Sequence, residues 1–206
     1  MVALFTGFTT LCTAQVKLGF FAGPQLSSAK YTVNSEKQPV NSKYGFHLGS
    51  SLKVPFENQL YFSPSVFYSM KGYKVKFNHR SYPPDSMAVD NNTSIHTVEL
   101  AALLQFDFSS QPGHFFIKFG PSIDVQLSGK EKFNRNNNTV VDKKMVFSFT
   151  QYGRFGANMI LQLGYETSNG LLFSGQYSHG IGSINNADFG PRIFHRAAGI
   201  SIGKYF

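Results

Sequence analysis

Apolar and polar residues alternate along most of the chain from Val16 onward. Because successive side chains of a β-strand point to opposite faces, this period of two predicts strands with one apolar and one polar face. Segments rich in Gly, Pro, Asn and Ser interrupt the alternation and divide it into eight predicted strands. These are Val16–Ala29, Lys43–Val54, a third from Leu60 to Phe77, Ser94–Phe108, His114–Ser128, Met145–Glu166, Leu171–Ile184 and Phe194–Phe206.

The third predicted strand changes phase along its length. Its apolar residues fall on even numbers before Gly72, as at Phe62 and Tyr68, and on odd numbers after it, as at Tyr73 and Val75. One extra residue in a strand shifts all later side chains to the other face. The pattern therefore predicts a β-bulge near Gly72.

The connections between the predicted strands alternate between short and long. The short ones are Pro55–Gln59, Ser109–Gly113 and Thr167–Gly170, and the long ones are Tyr31–Ser42, Asn78–Thr93, Lys130–Lys144 and Asn185–Ile193. Short turns at one rim and long loops at the other are typical of outer-membrane barrels. We therefore predict an all-β fold, an eight-stranded antiparallel up-and-down transmembrane β-barrel with both termini at the short-turn rim.

The polar face of the predicted strands carries small residues rather than Lys and Glu. Nine glycines fall on it: Gly19, Gly23, Gly45, Gly49, Gly120, Gly156, Gly164, Gly199 and Gly203. An eight-stranded barrel has an interior just wide enough for side chains to fill, so a face of small residues suits the lumen. The apolar face then meets lipid. A soluble ligand-binding barrel, with its apolar face inside, is the alternative.

The composition agrees with a membrane barrel. Charged residues make up only 15% of the chain and aromatic residues 16%, against roughly 25% charged in an average soluble domain. Residues 1–14 resemble the remnant of a signal peptide, with cleavage after Ala14, and a short buried first strand is the alternative. Residues 15–206 then form the barrel domain. Cleavage removes Cys12, the single cysteine, so no disulfide is expected.

Three charged residues are predicted to lie in the lumen. Glu99 sits between Val98 and Leu100 of the apolar face and must point the other way. A buried charge needs a partner, because an unpaired one is very costly. Lys118 and Arg154 fall on the same inner face, so we expect a static network of Glu99, Lys118 and Arg154 that plugs the lumen; a gate or proton path is the alternative.

The net charge is +8, and 14 of the 19 Lys and Arg residues lie in or beside the long loops. At a cell surface the natural polyanion is the phosphate of lipopolysaccharide rather than nucleic acid. The predicted lipopolysaccharide-facing rim is Lys74, Lys76, Arg80, Lys130, Lys132, Lys143, Lys144, Arg192 and Arg196. Tyr44, Tyr68, Tyr73 and Phe147 should mark the membrane boundary. A basic rim that is merely solvated is the alternative.

Eight segments in order resemble the PorT-like outer-membrane β-barrel family of Bacteroidota. They are Leu18–Ser27, Gly45–Phe56, Leu60–Lys74, Val98–Phe106, Phe115–Gly129, Phe155–Glu166, Gly170–Asn185 and Ile200–Phe206. The resemblance implies a small eight-stranded barrel inserted by the barrel assembly machinery, which reads a terminal strand ending in an aromatic residue, here Phe206. It also implies that secretion-system components are possible partners. Ala101, Arg154 and Lys204 depart from the family's pattern.

No metal-ligand cluster, phosphate-binding loop or nucleophile motif is recognisable, so neither catalytic residues nor a cofactor are expected. The function expected is a monomeric, non-enzymatic barrel with a structural or surface-interaction role. A lipid A-modifying enzyme is an alternative, since Ser178, His179 and Ser183 lie close in sequence, but they have no orienting carboxylate. Ser86, in Asp85-Ser86-Met87, matches a short O-glycan acceptor pattern.

Overall fold

The computed structural model describes residues 15–206, and the predicted signal segment 1–14 lies outside these residues. All its regular elements are strands: β1 Lys17–Val33, β2 Glu36–Lys37, β3 Val40–Glu57, β4 Leu60–Lys76, β5 Asp90–Asp107, β6 His114–Asn134, β7 Val140–Lys144, β8 Phe155–Glu166, β9 Leu171–Gly180 and β10 Arg192–Tyr205. No helix in residues 15–206 is long and apolar enough to cross a membrane.

Eight of the strands form a closed antiparallel ring. Its order is β1, β3, β4, β5, β6, β8, β9 and β10, and β10 pairs with β1 to close it. The two short strands extend the long-loop end, because β2 pairs with the end of β1 and β7 with the end of β6. Since each ring strand pairs with its neighbour in sequence order, the predicted up-and-down barrel is confirmed.

Short turns and long loops lie at opposite ends of the ring. The short-turn end has the connections 58–59, 108–113 and 167–170, and the long-loop end has those after β1, β4, β6 and β9. Gly19 pairs with Tyr205, and the Phe206 N–H donates to the Leu18 carbonyl at 2.8 Å. The first and last ring strands therefore begin and end at the short-turn end, as predicted.

The outer wall carries a continuous apolar band. Phe115 and Phe155 are each 66% exposed, and Leu104 is 53% exposed. Large apolar residues with no protein neighbours on one side are suited to lipid. On β5 the outward residues from Val98 to Phe106 are all apolar, a length that matches the roughly 9–11 residues a tilted strand needs to cross the hydrocarbon.

The lumen of this band is narrow, which explains the inward glycines. A Cβ added to Gly19 would lie 2.5 Å from the Tyr205 ring, and one added to Gly164 would lie 2.5 Å from the ring of Phe116. Both distances are far below ordinary van der Waals contact. Small residues here leave room for the few large side chains that fill the interior.

Towards the long-loop end the inner and outer faces of the barrel wall exchange polarity. The interior there is apolar, built around Tyr31, Tyr73, Ile95, Tyr152 and Ile193, each at most 1% exposed. The outward residues at the same level are polar or basic, namely Lys30, Thr32, Lys74, Lys76, Asn92, Lys130 and Lys132. Beyond the lipid, water lies outside the wall, so this part of the barrel buries its apolar side chains inside, as a soluble barrel does.

This exchange overturns the bulge predicted near Gly72. The pairing of β4 with β5 is unbroken from Leu60↔Phe106 to Lys76↔Asp90, and odd-numbered residues of β4 face inward throughout. The apparent phase change arises because the inward face turns apolar at Tyr73. A register shift does lie opposite Gly72, between the pairs Ser42↔Tyr73 and His47↔Ser69, but its extra residue is on β3 and not on β4. Another shift lies between β5 and β6, at His96/Thr97.

The sixth predicted strand, Met145–Glu166, is wrong in its first half. The strand β8 begins only at Phe155. Residues 145–154 form a loop that folds over the mouth of the barrel, where Tyr152 is fully buried and Phe147 packs against the apolar interior. Met145, Phe147 and Tyr152 of this segment fill the long-loop end instead of facing lipid, and their spacing with the other apolar residues resembled a strand.

Candidate functional site: the lumen and the long-loop rim

The charged centre of the lumen is the cluster of Lys71, Glu99 and Asp124, here called the lumen cluster. The Lys71 Nζ lies 2.6 Å from Glu99 Oε1 and 3.1 Å from Asp124 Oδ2, and all three side chains are at most 4% exposed. Glu99 and Asp124 are directly paired in register between β5 and β6. Two carboxylates opposite each other repel, and the ammonium group that bridges them makes the arrangement stable.

The predicted partners of Glu99 were wrong. Lys118 does lie in the lumen, but nearer the short-turn end, where its Nζ donates to Tyr205 OH at 2.9 Å and Ser63 Oγ at 3.2 Å. Arg154 lies before β8 begins, is exposed, and has its guanidinium 5.9 Å from the centre of the Phe147 ring. Lys71, which was not among the predicted lumen residues, takes the role assigned to both.

A second charged cluster closes the short-turn end and was not predicted. The Lys53 Nζ lies 2.6 Å from Asp107 Oδ2 and 2.7 Å from Glu166 Oε2. The His114 Nε2 lies 3.0 Å from the same Asp107 oxygen. Asp107, His114 and Glu166 offer three ligand atoms within 4.8 Å of one another, of a kind that binds metal ions. The Lys53 ammonium contacts both carboxylates, and the Lys17 Nζ lies 3.4 Å from Glu166 Oε1, so two lysines of the chain balance the two carboxylates.

A signal in the sequence could have identified most of these residues. Lys53, Asp107 and Asp124 each stand between two apolar residues of the lipid-facing phase, as Glu99 does. A charged residue in that setting points into the lumen, because burial in lipid would be very costly. Which of them pair cannot be read from the alternation, since pairing depends on register between strands.

The rest of the lumen is filled by polar pairs and an apolar layer. Gln25 Nε2 donates to Ser69 Oγ at 2.8 Å, and Gln162 Nε2 donates to Gln176 Oε1 at 2.8 Å. Phe67, Ala101, Leu103 and Ile160 pack together across the interior. A cavity beside Lys118 has a volume of about 20 Å³, room for roughly one water molecule. The barrel interior is thus packed in layers rather than open.

Most of the predicted rim residues are exposed at the long-loop end. Lys74, Lys76, Arg80, Lys130, Lys132, Lys144, Arg192 and Arg196 all present their side chains to the outside. Lys143 does not: its Nζ donates to the Pro84 carbonyl at 2.8 Å and lies 5.3 Å from the centre of the Phe133 ring. The β7 strand turns Lys143 towards the barrel mouth, so its inclusion in an outward phosphate-binding rim was wrong.

Two of the four predicted boundary aromatics face lipid. Tyr44 is 84% exposed, and the Tyr68 hydroxyl is hydrogen-bonded to His96 on the outer wall. Tyr73 is fully buried and Phe147 points into the barrel mouth. The prediction failed for these two because they lie beyond the level at which the inner face becomes apolar.

The serine–histidine pair does not form a catalytic unit. Ser178 points into the lumen and is 5% exposed, whereas His179 lies on the outer wall next to Tyr177, whose hydroxyl is 3.3 Å from His179 Nδ1. Adjacent residues of a strand face opposite sides, so Ser178 and His179 cannot exchange a proton. The geometry supplies no general base for Ser178 from this histidine.

The loop after β4 is tied to the β6–β7 hairpin. The Arg135 Nη2 lies 2.7 Å from Asp85 Oδ2, and the Met87 N–H donates to Asp85 Oδ1 at 2.8 Å. The Met87 N–H and the Arg135 guanidinium hold the pKa of Asp85 below its usual value. Ser86, between them, is exposed.

Residues 12–186 match the family described as the outer membrane protein beta-barrel domain, and the chain belongs to that family. No curated protein matches the chain. Solved structures similar to it include Ail of Yersinia pestis with the heparin analogue sucrose octasulfate (13% identity, 93% of this chain and 99% of that one, TM-score 0.49). OprG of Pseudomonas aeruginosa is also similar, at 12% identity over 94% of this chain and 97% of that one, with a TM-score of 0.49. Neisserial surface protein A is similar at 12% identity over 91% of this chain and 97% of that one, with a TM-score of 0.43.

Proposed function

We propose that this outer-membrane barrel is a non-enzymatic surface protein whose basic outer wall binds the phosphate groups of lipopolysaccharide. The observation that carries the proposal is a group of cations just beyond the apolar band on β4, β6 and β7. This group, Lys74, Lys130, Lys132 and Lys144, is here called the outer-wall cations. Such a position meets lipid headgroups, where each Lys or Arg near an anionic surface contributes about 1 kcal/mol.

Register brings the outer-wall cations together. Lys74 and Lys132 flank Asn92, because both pair with it across β5, and Lys130 pairs directly with Lys144. Neighbouring strands are about 4.8 Å apart, so the ammonium groups lie within reach of one phosphorylated headgroup. Asp142, which pairs with Lys132, and Asp90, whose carboxylate accepts from Asn134, are the nearest acids on this wall.

The filled lumen favours a surface role over transport. The cluster around Lys53, the apolar layer of Phe67 and Ile160, the lumen cluster and the apolar interior of the long-loop end fill the lumen at successive levels. An eight-stranded barrel packed in this way leaves no aqueous path. The long loops are then expected to lie outside the cell, with the short turns in the periplasm.

Neutralisation of the outer-wall cations tests this function. The variant Lys74→Gln/Lys130→Gln/Lys132→Gln, here called the outer-wall variant, should bind purified lipopolysaccharide at least about tenfold more weakly at low salt. Lys143→Gln is the matched control, because Lys143 points inward and its loss should change little. If the outer-wall variant binds like the wild type, the rim is only solvated and the lipopolysaccharide role fails.

The similarity to PorT-like barrels supports a second proposal, an accessory role in protein secretion. Phe206 would serve as the terminal aromatic residue for the barrel assembly machinery, after export directed by residues 1–14. Phe206 is 72% exposed and its ring packs edge-on against Phe20 at the lipid-facing wall. Loss of a secreted cargo on deletion of the gene, with rescue by the intact chain, tests the secretion role.

A further inference from the structure

A cationic pocket lies on the outer wall where β10 closes the ring on β1, here called the seam. It has a volume of about 630 Å³ and is lined by Lys30, Lys37, Arg192 and the rings of Phe189 and Phe194. Arg196 stands two residues further along β10 on the same face, paired with Ser28. The seam lies on a different part of the wall from the outer-wall cations, because β3 separates β1 from β4, and β8 and β9 separate β10 from β6.

The cations of the seam are not neutralised by the protein. Within residues 15–206, the ion pairs involve other lysines and arginines. Of the two acids nearest in sequence, Glu36 has its carboxylate 2.5 Å from His79 Nε2 instead, and Asp188 is exposed and forms no ion pair with these cations. Four cations close together repel one another unless an anion lies between them, so the pocket is complementary to a ligand with more than one negative charge.

An exposed aromatic ring stands beside these cations. Phe189 is fully exposed and its backbone has a φ of 58°. A bulky residue rarely adopts this left-handed conformation. The loop after β9 thus holds a phenyl ring outward beside the cations, and aromatic residues are favoured where lipid headgroups meet acyl chains.

An apolar groove lies below the pocket on the same seam. Its volume is about 580 Å³, and its outward lining includes Ala22, Pro24, Phe173, Gly175, Ile200 and Ile202. Small residues on β1 and β9 form its floor and larger ones form its sides. A Cβ added to Gly175 would meet only one atom, the Gly199 carbonyl oxygen, at 4.0 Å. The wall is therefore recessed there.

Pocket and groove are aligned along one line of the wall. β1 runs outward from Pro24 in the groove to Lys30 in the pocket, and β10 runs back from Arg192 to Ile200. Six residues of strand span about 20 Å, or about 15 Å along the membrane normal for a strand tilted near 40°. That separation matches the distance from a headgroup phosphate to the middle of an acyl chain.

We propose that the seam is a binding site for one bisphosphorylated, acylated glycolipid of the lipid A type. Its phosphates contact Lys30, Arg192 and Arg196, and one acyl chain lies in the groove over Gly175. A free anion would leave the groove empty, and an uncharged lipid would leave the cations without a counter-charge. The site rests on the proposed outward orientation of the long loops, but on residues other than the outer-wall cations.

The test measures binding of purified bisphosphorylated hexa-acylated lipid A to the full-length barrel in detergent micelles. The seam variant Lys30→Gln/Arg192→Gln/Arg196→Gln should bind at least about tenfold more weakly, while the outer-wall variant, with the same loss of charge, should change the affinity less than about twofold. Gly175→Leu should fill the groove and weaken binding several-fold. Ala102→Leu, on the lipid-facing wall of β5, is its control. The β-sheet circular dichroism of each variant verifies folding.

Any of the following results would overturn the site. One is a seam variant that binds lipid A like the wild type, and another is equal weakening by the seam and outer-wall variants, which indicates unspecific attraction. The third is a deacylated, bisphosphorylated disaccharide that binds as tightly as lipid A, or a Gly175→Leu variant without effect, because either excludes the groove. Because lipopolysaccharide contains lipid A, the lipopolysaccharide assay compares the outer-wall and the seam variants side by side. Weaker binding by the outer-wall variant alone contradicts the seam site, and weaker binding by the seam variant alone contradicts the proposed function, so the two proposals can fail independently.

Discussion

Lys71 is the residue on which the interior depends most. It bridges Glu99 and Asp124, which register places side by side in a space without bulk water. Burial of a charge is tolerable only while its partner is present. Loss of the ammonium group leaves two carboxylates facing each other, whereas loss of one carboxylate leaves an ion pair.

We expect Lys71→Met to lower the free energy of unfolding by about 3–5 kcal/mol, the usual cost of breaking a buried ion pair by removing one partner. Glu99→Gln should cost about 1–2 kcal/mol, since Asp124 still neutralises Lys71 and the amide can accept a hydrogen bond. Urea unfolding of the refolded barrel in lipid vesicles measures both. Equal losses for the two variants would contradict the bridging role.

For single residues, the sequence predicted which side chains point into the lumen but not which of them form ion pairs. Glu99 was correctly expected to point inward, because it stands between two lipid-facing residues. Its partner Lys71 lies on the neighbouring strand β4, and only the register between strands brings the two together. Arg154 was assigned to the lumen because the alternation was extended over a segment that is a loop.

The loop after β4 depends on Asp85. A carboxyl group whose pKa is lower in the folded than in the unfolded protein stabilises the folded state. This stabilisation is complete at a pH above the unfolded pKa of about 3.9, and it is lost as the pH falls through the lower pKa of the folded state. The loop should therefore be unchanged between about pH 5 and 8 and loosen only well below pH 4.

The amide of Met87 reports this titration, because it donates to Asp85 Oδ1. We expect its NMR resonance to shift with a midpoint below about 3.9, since the Met87 N–H and Arg135 both favour the carboxylate. The Asp85→Asn variant is the control and should show no such transition. A midpoint above about 4 would mean that neither contact persists in solution.

The orientation of the hairpins can be tested with single cysteines. Asn137 lies exposed at the tip between β6 and β7, and Gln111 lies exposed in the short turn before β6. In a background without Cys12, a membrane-impermeant maleimide should label Asn137→Cys on intact cells and Gln111→Cys only after the outer membrane is permeabilised. The reverse pattern would place the long loops in the periplasm.

Among the elements, the strand ends at the short-turn side were predicted best. The third strand was correctly started at Leu60 and the fifth at His114, since turn residues precede both. The strand ends at the long-loop side were predicted wrongly, because there the apolar residues face the interior and the polar residues face outward. The segment 145–154 was taken for a strand for the same reason: its apolar residues belong to the barrel mouth.

For the whole molecule, the layered interior predicts poor conduction. Purified wild-type protein in a planar bilayer should show no large, stable single-channel currents. Tyr73→Ala/Tyr152→Ala removes two rings from the apolar layer at the long-loop end, and it should remain silent, because Phe67, Leu103 and Ile160 still close the ring below. Steady ohmic currents from the wild type would show that the interior is not packed in solution.

The closed long-loop end makes the tip beyond it dispensable. The ladder between β6 and β7 stops at Asn134↔Val140, and residues 136–139 stand clear of the buried tyrosines beneath. A short foreign peptide inserted after Asn137 would lengthen this hairpin without touching any packed layer. The barrel is therefore suited to the display of peptides, because its packed interior is independent of the tip that would carry them.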